Sequence, residues 1–126
     1  MASGTSFTAD ASSVEEAVIR IPGAEPADGI LAQLINVDAQ NGLVASIIRF
    51  QPGATIPAHR HETFAEAHYV LEGDLINEGV THGPGAYITH APGVVHGPHS
   101  SLGGCRVLTL QTGHTGSEEA DFHIEG

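Results

Sequence analysis

Apolar and polar residues alternate along much of this chain, and glycine or proline interrupts the alternation at short intervals. Residues 30–37 and 43–50 are apolar-rich runs separated by a segment that ends Asn41-Gly42. Asn-Gly readily takes the positive φ angles of a tight turn, so the pair of runs predicts a β-hairpin. Gln51-Pro52-Gly53 closes the second run. Over residues 65–71, Glu66, His68 and Val70 fall on one face of a strand, and Ala67, Tyr69 and Leu71 on the other. Residues 75–77, 86–90 and 106–112 read as further short strands, with turns at Glu72-Gly73-Asp74 and His82-Gly83-Pro84-Gly85. Nearer the N-terminus, residues 18–21 read as a strand stopped by Pro22-Gly23. Ser12 and Glu15 have capping-box spacing, which predicts a helical turn near 13–17. Short strands with such punctuation indicate an all-β antiparallel sandwich or barrel, and a double-sheet jelly roll fits. The expected organisation is a flexible segment over 1–17, one domain over 18–113, and an acidic tail or edge strand over 114–126.

Composition narrows this picture. A chain of 126 residues is one domain, and its 40% hydrophobic content is enough for a self-sufficient core. Fifteen acidic residues face four arginines and no lysine, for a net charge of −11 with His neutral. Such a surface repels nucleic acid and anionic membranes. Cys105 is the single cysteine, so an intramolecular disulfide and a multi-thiolate zinc site are excluded. It precedes an apolar strand and reads as a small core residue. No signal-peptide pattern and no membrane-length apolar run is present, so a cytoplasmic protein is the expectation.

Candidate chemistry concentrates in one stretch. His59 and His61 are two residues apart, and on an extended chain such residues point to the same side and can reach one ion. Glu66 adds a carboxylate five residues later, and His96 follows in Pro92-Gly93-Val94-Val95-His96. The bland alternative is a set of unrelated surface histidines. Four suitable donor types at this spacing favour a metal site formed by His59, His61, Glu66 and His96. His68 shares the strand face of Glu66, so it is a candidate catalytic base or substrate anchor, or a hydrogen-bonded orienting residue. His90 and His99 flank the second motif with less claim on the pocket, and His82, His114 and His123 read as solvated. Tyr69 and Tyr87 read as packing residues, and Phe50 and Phe64 as pocket wall or core. Arg60 has the parity opposite to its ligand neighbours and should face outward; Arg49 and Arg106 would clamp a substrate carboxylate only if they faced inward.

The spacing Gly53, His59, His61, Glu66, Gly73 resembles the first signature of the cupin superfamily, residue for residue. The second signature is met at Gly85, Gly93 and His96, with Ala91 and Ser100 departing from it and the proline displaced to Pro92. The resemblance spans 53–100 and implies a double-stranded β-helix, the jelly-roll cupin barrel. It also implies one divalent transition metal per chain. Three imidazoles and a carboxylate suit Fe(II), Mn(II), Ni(II), Co(II), Cu(II) or Zn(II), with Fe(II) favoured for oxygen chemistry. Tyr69-Val-Leu-Glu-Gly-Asp74, Gly85-Ala-Tyr87 and Gly104-Cys105 resemble a cupin group that holds anti-sigma-factor domains and acetylacetone-cleaving dioxygenases. From this follows the expectation of a metal-dependent enzyme on a small-molecule substrate, foremost an Fe(II) dioxygenase cleaving an enolisable carbonyl compound. A non-oxidative lyase, isomerase, dehydratase or polyketide cyclase is the alternative, and a metal- or ligand-sensing cupin a second one. Cupins of one domain usually pair through exposed edges, so a homodimer is expected, with residues 18–21 as the exchange strand.

Overall fold

A computed structural model describes residues 6–38, 43–112 and 122–125. Among these residues are twelve strands and one short 3-10 turn at Ala11–Ser13. In chain order the strands are β1 Glu16–Val18, β2 Ile30–Asn36, β3 Val44–Phe50, β4 Thr55–Ile56, β5 His59–Arg60, β6 Glu66–Gly73, β7 Leu75–Asn77, β8 Val80–His82, β9 Tyr87–His90, β10 His99–Ser100, β11 Cys105–Gln111 and β12 His123–Ile124. Six form one antiparallel sheet in the order β1-β2-β3-β11-β6-β9. A four-stranded sheet has the order β4-β10-β7-β8, and β12 pairs with β5. This is the all-β jelly-roll barrel that the strand pattern predicts.

The core lies where the inner faces of the two larger sheets meet. Ile30, Phe50, Val70, Cys105 and Val107 come from the six-stranded sheet, Ile56 and Leu75 from the four-stranded one. Strict alternation puts them there. On β11 the buried positions are Cys105, Val107 and Thr109, every second residue. On β6, Glu66 and Val70 are buried while Tyr69 and Leu71 are exposed. Cys105 is the small core residue expected, and burial pushes its thiol up to about 11. Gly73 is where the barrel turns its corner: its φ is +83°, and a Cβ there would lie 2.1 Å from the Gly104 carbonyl oxygen. Only glycine lets β6 and the start of β11 approach this closely.

Three expectations change. The turn predicted near 13–17 sits earlier, at Ala11–Ser13, because the Asp10 side chain caps it by accepting from the Ser12 N–H at 2.9 Å. Val14 is already extended. The first strand covers Glu16–Val18 rather than 18–21; Glu16 is held to Arg49 of β3, while Ile19 and Ile21 pack against the core. Four strands, β4, β5, β8 and β10, are two or three residues long and were not read from the pattern. The predicted turn at Asn41-Gly42, and His114, lie outside the described residues. No helix among those residues is long and apolar enough to cross a membrane.

Candidate metal centre

Short strands and turns bring the four candidate ligands together. His59 opens β5, Glu66 opens β6, His61 follows β5, and His96 forms an isolated antiparallel bridge with His59 before β10. The backbones of His59 and His96 bond to each other in both directions, at 2.9 and 2.8 Å, which locks the two signatures side by side. One donor atom from each of His59, His61, Glu66 and His96 lies within 4.8 Å of one from every other. All four residues are buried, at 1 to 7% exposure. Glu66 reaches to within 3.6 Å of His61 Nε2 with Oε2, and to within 3.9 Å of His96 Nε2 with Oε1.

The tautomers also suit an ion. His59 Nδ1 lies 2.8 Å from the Pro57 carbonyl oxygen, so it must donate its proton there, leaving Nε2 with a free lone pair. His96 Nδ1 bonds His99 Nε2 at 2.9 Å, and His96 Nε2 is buried with no partner. Such an orphaned acceptor is costly in an apolar interior unless something fills it. Burial holds His96 down to about 3, His99 to about 2 and His90 to about 4, so these rings stay neutral and able to ligate. Burial alone would raise Glu66, but the His61 and His68 side chains beside its oxygens outweigh it and hold the carboxyl well below the usual range. Gln111 Nε2 donates to Glu66 Oε2 at 2.9 Å and fixes the carboxylate's rotation. The residues therefore fit a divalent ion: buried neutral imidazoles, an ionised carboxylate and oriented ligands.

The other candidates fall on both sides of the wall. His68 points inward, as its parity predicts, with Nδ1 3.0 Å from Thr109 Oγ1. Its Nε2 is 3.0 Å from Glu66 Oε1, close but off the line of a good hydrogen bond. Phe64 stacks on His61 with ring centres 4.5 Å apart, and Phe50 is in the core. Phe122, which the pattern did not single out, stacks on His59 at 4.2 Å. Sequence reasoning also underrated His90 and His99, which are 8% and 4% exposed and belong to the histidine cluster. The alternation Ile88, His90 along β9 and the three-residue step from His96 to His99 carried that signal. Tyr69 and Tyr87 are 42% and 66% exposed and face away from it.

A cavity of about 230 Å³ opens beside the ligands. Ile19, Ile48, Ile56, Leu75 and Phe122 form apolar wall, while among the described residues Glu66 is the one on that wall with a carboxylate and no arginine reaches it. Arg49 pairs with Glu16, Arg106 with Glu72, and Arg60 with Glu62 and Glu125, so none of these clamps a substrate.

Comparison with known proteins decides the family. A family model described as the ChrR cupin-like domain matches residues 17–115. The chain belongs to the ChrR cupin-like family. Solved structures with the same fold include the polyketide cyclase RemF of Streptomyces resistomycificus, at 23% identity over 95% of this chain and 85% of that one, with a TM-score of 0.69. A sugar phosphate isomerase of Silicibacter pomeroyi aligns at 23% identity over 86% and 76%, with a TM-score of 0.63. An acetylacetone dioxygenase of Acinetobacter johnsonii aligns at 17% identity over 74% and 66%, with a TM-score of 0.57. At these identities the likeness is one of fold. No curated protein matches the chain. Within this ChrR cupin-like domain, both signature segments and the whole described cluster fall inside the matched residues.

Proposed function

We propose that this cupin is a metal-dependent enzyme acting on a small, uncharged, enolisable carbonyl compound, with Fe(II)-dependent cleavage by dioxygen as the leading reaction. The observation that carries the reading is the character of the cavity. It is largely apolar, it adjoins His59, His61 and Glu66, and in a chain without lysine no arginine lines it to hold a phosphate or carboxylate. Sugar phosphates are therefore poor candidates, although a sugar phosphate isomerase shares the fold. A β-dicarbonyl or aryl ketone matches the wall in polarity and size. A divalent metal held by His59, His61, Glu66 and His96 would supply a Lewis acid and, if iron, an electron donor to dioxygen.

The chain's own groups have definable tasks. To His68, which lines the cavity and has Nε2 beside Glu66, we assign the task of taking the proton that an enolisable carbon gives up. Thr109 holds the ring through Nδ1 and so fixes which nitrogen faces the substrate. Ile48, Ile56, Leu75 and Phe122 exclude bulk water and present an apolar wall to the substrate body.

A second reading, non-oxidative cyclisation or isomerisation with the metal as Lewis acid, draws support from the long alignment with the polyketide cyclase. Reconstitution with single metals and a screen of enolisable ketones and dicarbonyls, followed by oxygen electrode and mass spectrometry, separates the two. Oxygen uptake with Fe(II) supports dioxygenase chemistry. Product without oxygen uptake supports the Lewis-acid reaction. Inertness across the panel, with metal bound, overturns the enzyme reading and leaves a sensor. We further propose a homodimer joined through β1, which among the described residues ends the six-stranded sheet and exposes Val18. A monomer mass by light scattering would contradict it.

A further inference from the structure

Three more imidazoles stand beside the first ligand set. His68, His90 and His99 come from β6, β9 and β10, strands of two different sheets. Their ring centres form a nearly equilateral triangle, with sides of 5.6 Å from His68 to His90, 5.6 Å from His68 to His99 and 5.9 Å from His90 to His99. The ring planes are tilted against each other by 62°, 65° and 53°. Three imidazoles sharing one ion have this form. With nitrogens about 2.1 Å from the ion and roughly tetrahedral angles, ring centres fall about 5 to 6 Å apart.

The nitrogens are also available. His68 Nδ1 is taken by Thr109; the His96 Nδ1–His99 Nε2 bond holds one of that pair's two protons, and filling both sites displaces the other, which leaves His68 Nε2 and His99 Nδ1. Both of these, and His90 Nε2, are buried without a hydrogen-bond partner. One nitrogen from each of His68, His90, His96 and His99 lies within 4.8 Å of one from every other. His96 is the odd member. It stacks on His90 with centres 3.9 Å apart and planes only 16° from parallel, and two such rings cannot aim in-plane lone pairs at one ion. It also belongs to the first set. Asn77, the register partner of His99 on β7, carries a buried Oδ1 that likewise has no partner.

We propose that His68, His90 and His99 form a second metal site, suited to a borderline dication such as Zn(II), Co(II) or Cu(II). Glu66 stands between the two sites, with Oε2 near His61 and Oε1 near His68. Filling the second site occupies the nitrogen assigned above to proton transfer, so excess metal inhibits turnover; this consequence alone rests on the proposed function.

The test is titration of the metal-free full chain with Co(II), reading stoichiometry by calorimetry and metal analysis and coordination by visible absorption. The wild type takes up two ions per chain. His90→Ala and His90→Phe, the second of which keeps a flat ring against His96, each weaken the second event by about 10–100-fold or more and leave the first intact. His59→Ala does the reverse. One ion per chain in large metal excess would overturn the proposal. So would a second event unchanged in both His90 variants, since that ion would sit on the acidic surface. None of these readouts needs turnover, so failure of the proposed reaction leaves the test standing.

Discussion

The two ends of one strand face do opposite things. Along β11 the inward residues run from Cys105 and Val107 to Thr109. Along antiparallel β6 the matching positions run from Val70 to His68 and Glu66. At the Cys105 end, apolar side chains from both larger sheets interlock and Val70 and Ile30 have no exposure. At the Thr109 end, buried nitrogens stand unpaired around a cavity. Parity is the same at both ends, and Glu66 and Thr109 are buried as Val70 and Val107 are; the side chains differ. The apolar end therefore carries the stability that lets the polar end keep unpaired imidazole nitrogens in place.

Acid should break the polar end first, and with the largest effect. In the unfolded chain the cluster's imidazoles protonate near 6.5, whereas folded His90, His96 and His99 do so only near 4, 3 and 2. Below 6.5 the unfolded state thus binds more protons, and stability falls as pH drops towards the folded values. Glu66, held below its ordinary range, adds to the same trend at lower pH. Thermal melts of the chelated protein between pH 7.5 and 4.5 should show a steep loss; a flat profile would refute the burial account.

Ile30→Ala attacks the apolar end. It should cost about 2–5 kcal/mol in denaturant unfolding while the folded protein keeps its metal content. Gln111→Ala frees the Glu66 carboxylate from its 2.9 Å bond and should weaken metal binding about 10–100-fold, with little change in melting of the metal-free chain. The smallest effect belongs to the outer surface. Arg49→Ala removes a half-exposed pair with Glu16, worth about 0.2–1 kcal/mol, and should leave metal affinity unchanged.

The legible parts of the fold were those where alternation runs long enough to show a period. The strands β2, β3, β6 and β11 have seven or eight residues, and their inward faces follow from spacing alone. Two-residue strands such as β4, β5 and β10 carry no period; pairing with distant partners, Ile56 with His99 for example, creates them. The same reason hid part of the histidine cluster. His59, His61 and Glu66 are close in sequence, but His90 joins them only because it is paired with Glu66 across β9 and β6. His99 joins because β10 folds back to β7. Phe122 reaches His59 because β12 pairs with β5, a contact of high sequence separation that no local pattern announces.

His59, His61, Glu66 and His96 are expected to hold a divalent metal ion. Metal analysis of wild type, His96→Ala and His123→Ala, purified alike and shown folded by circular dichroism, tests it. His96 is 1% exposed within the cluster, whereas the side chain of His123 is 39% exposed at the edge of the barrel near Glu62. Bound metal is expected in wild type and His123→Ala and a severe loss in His96→Ala; equal metal content in all three would contradict this site.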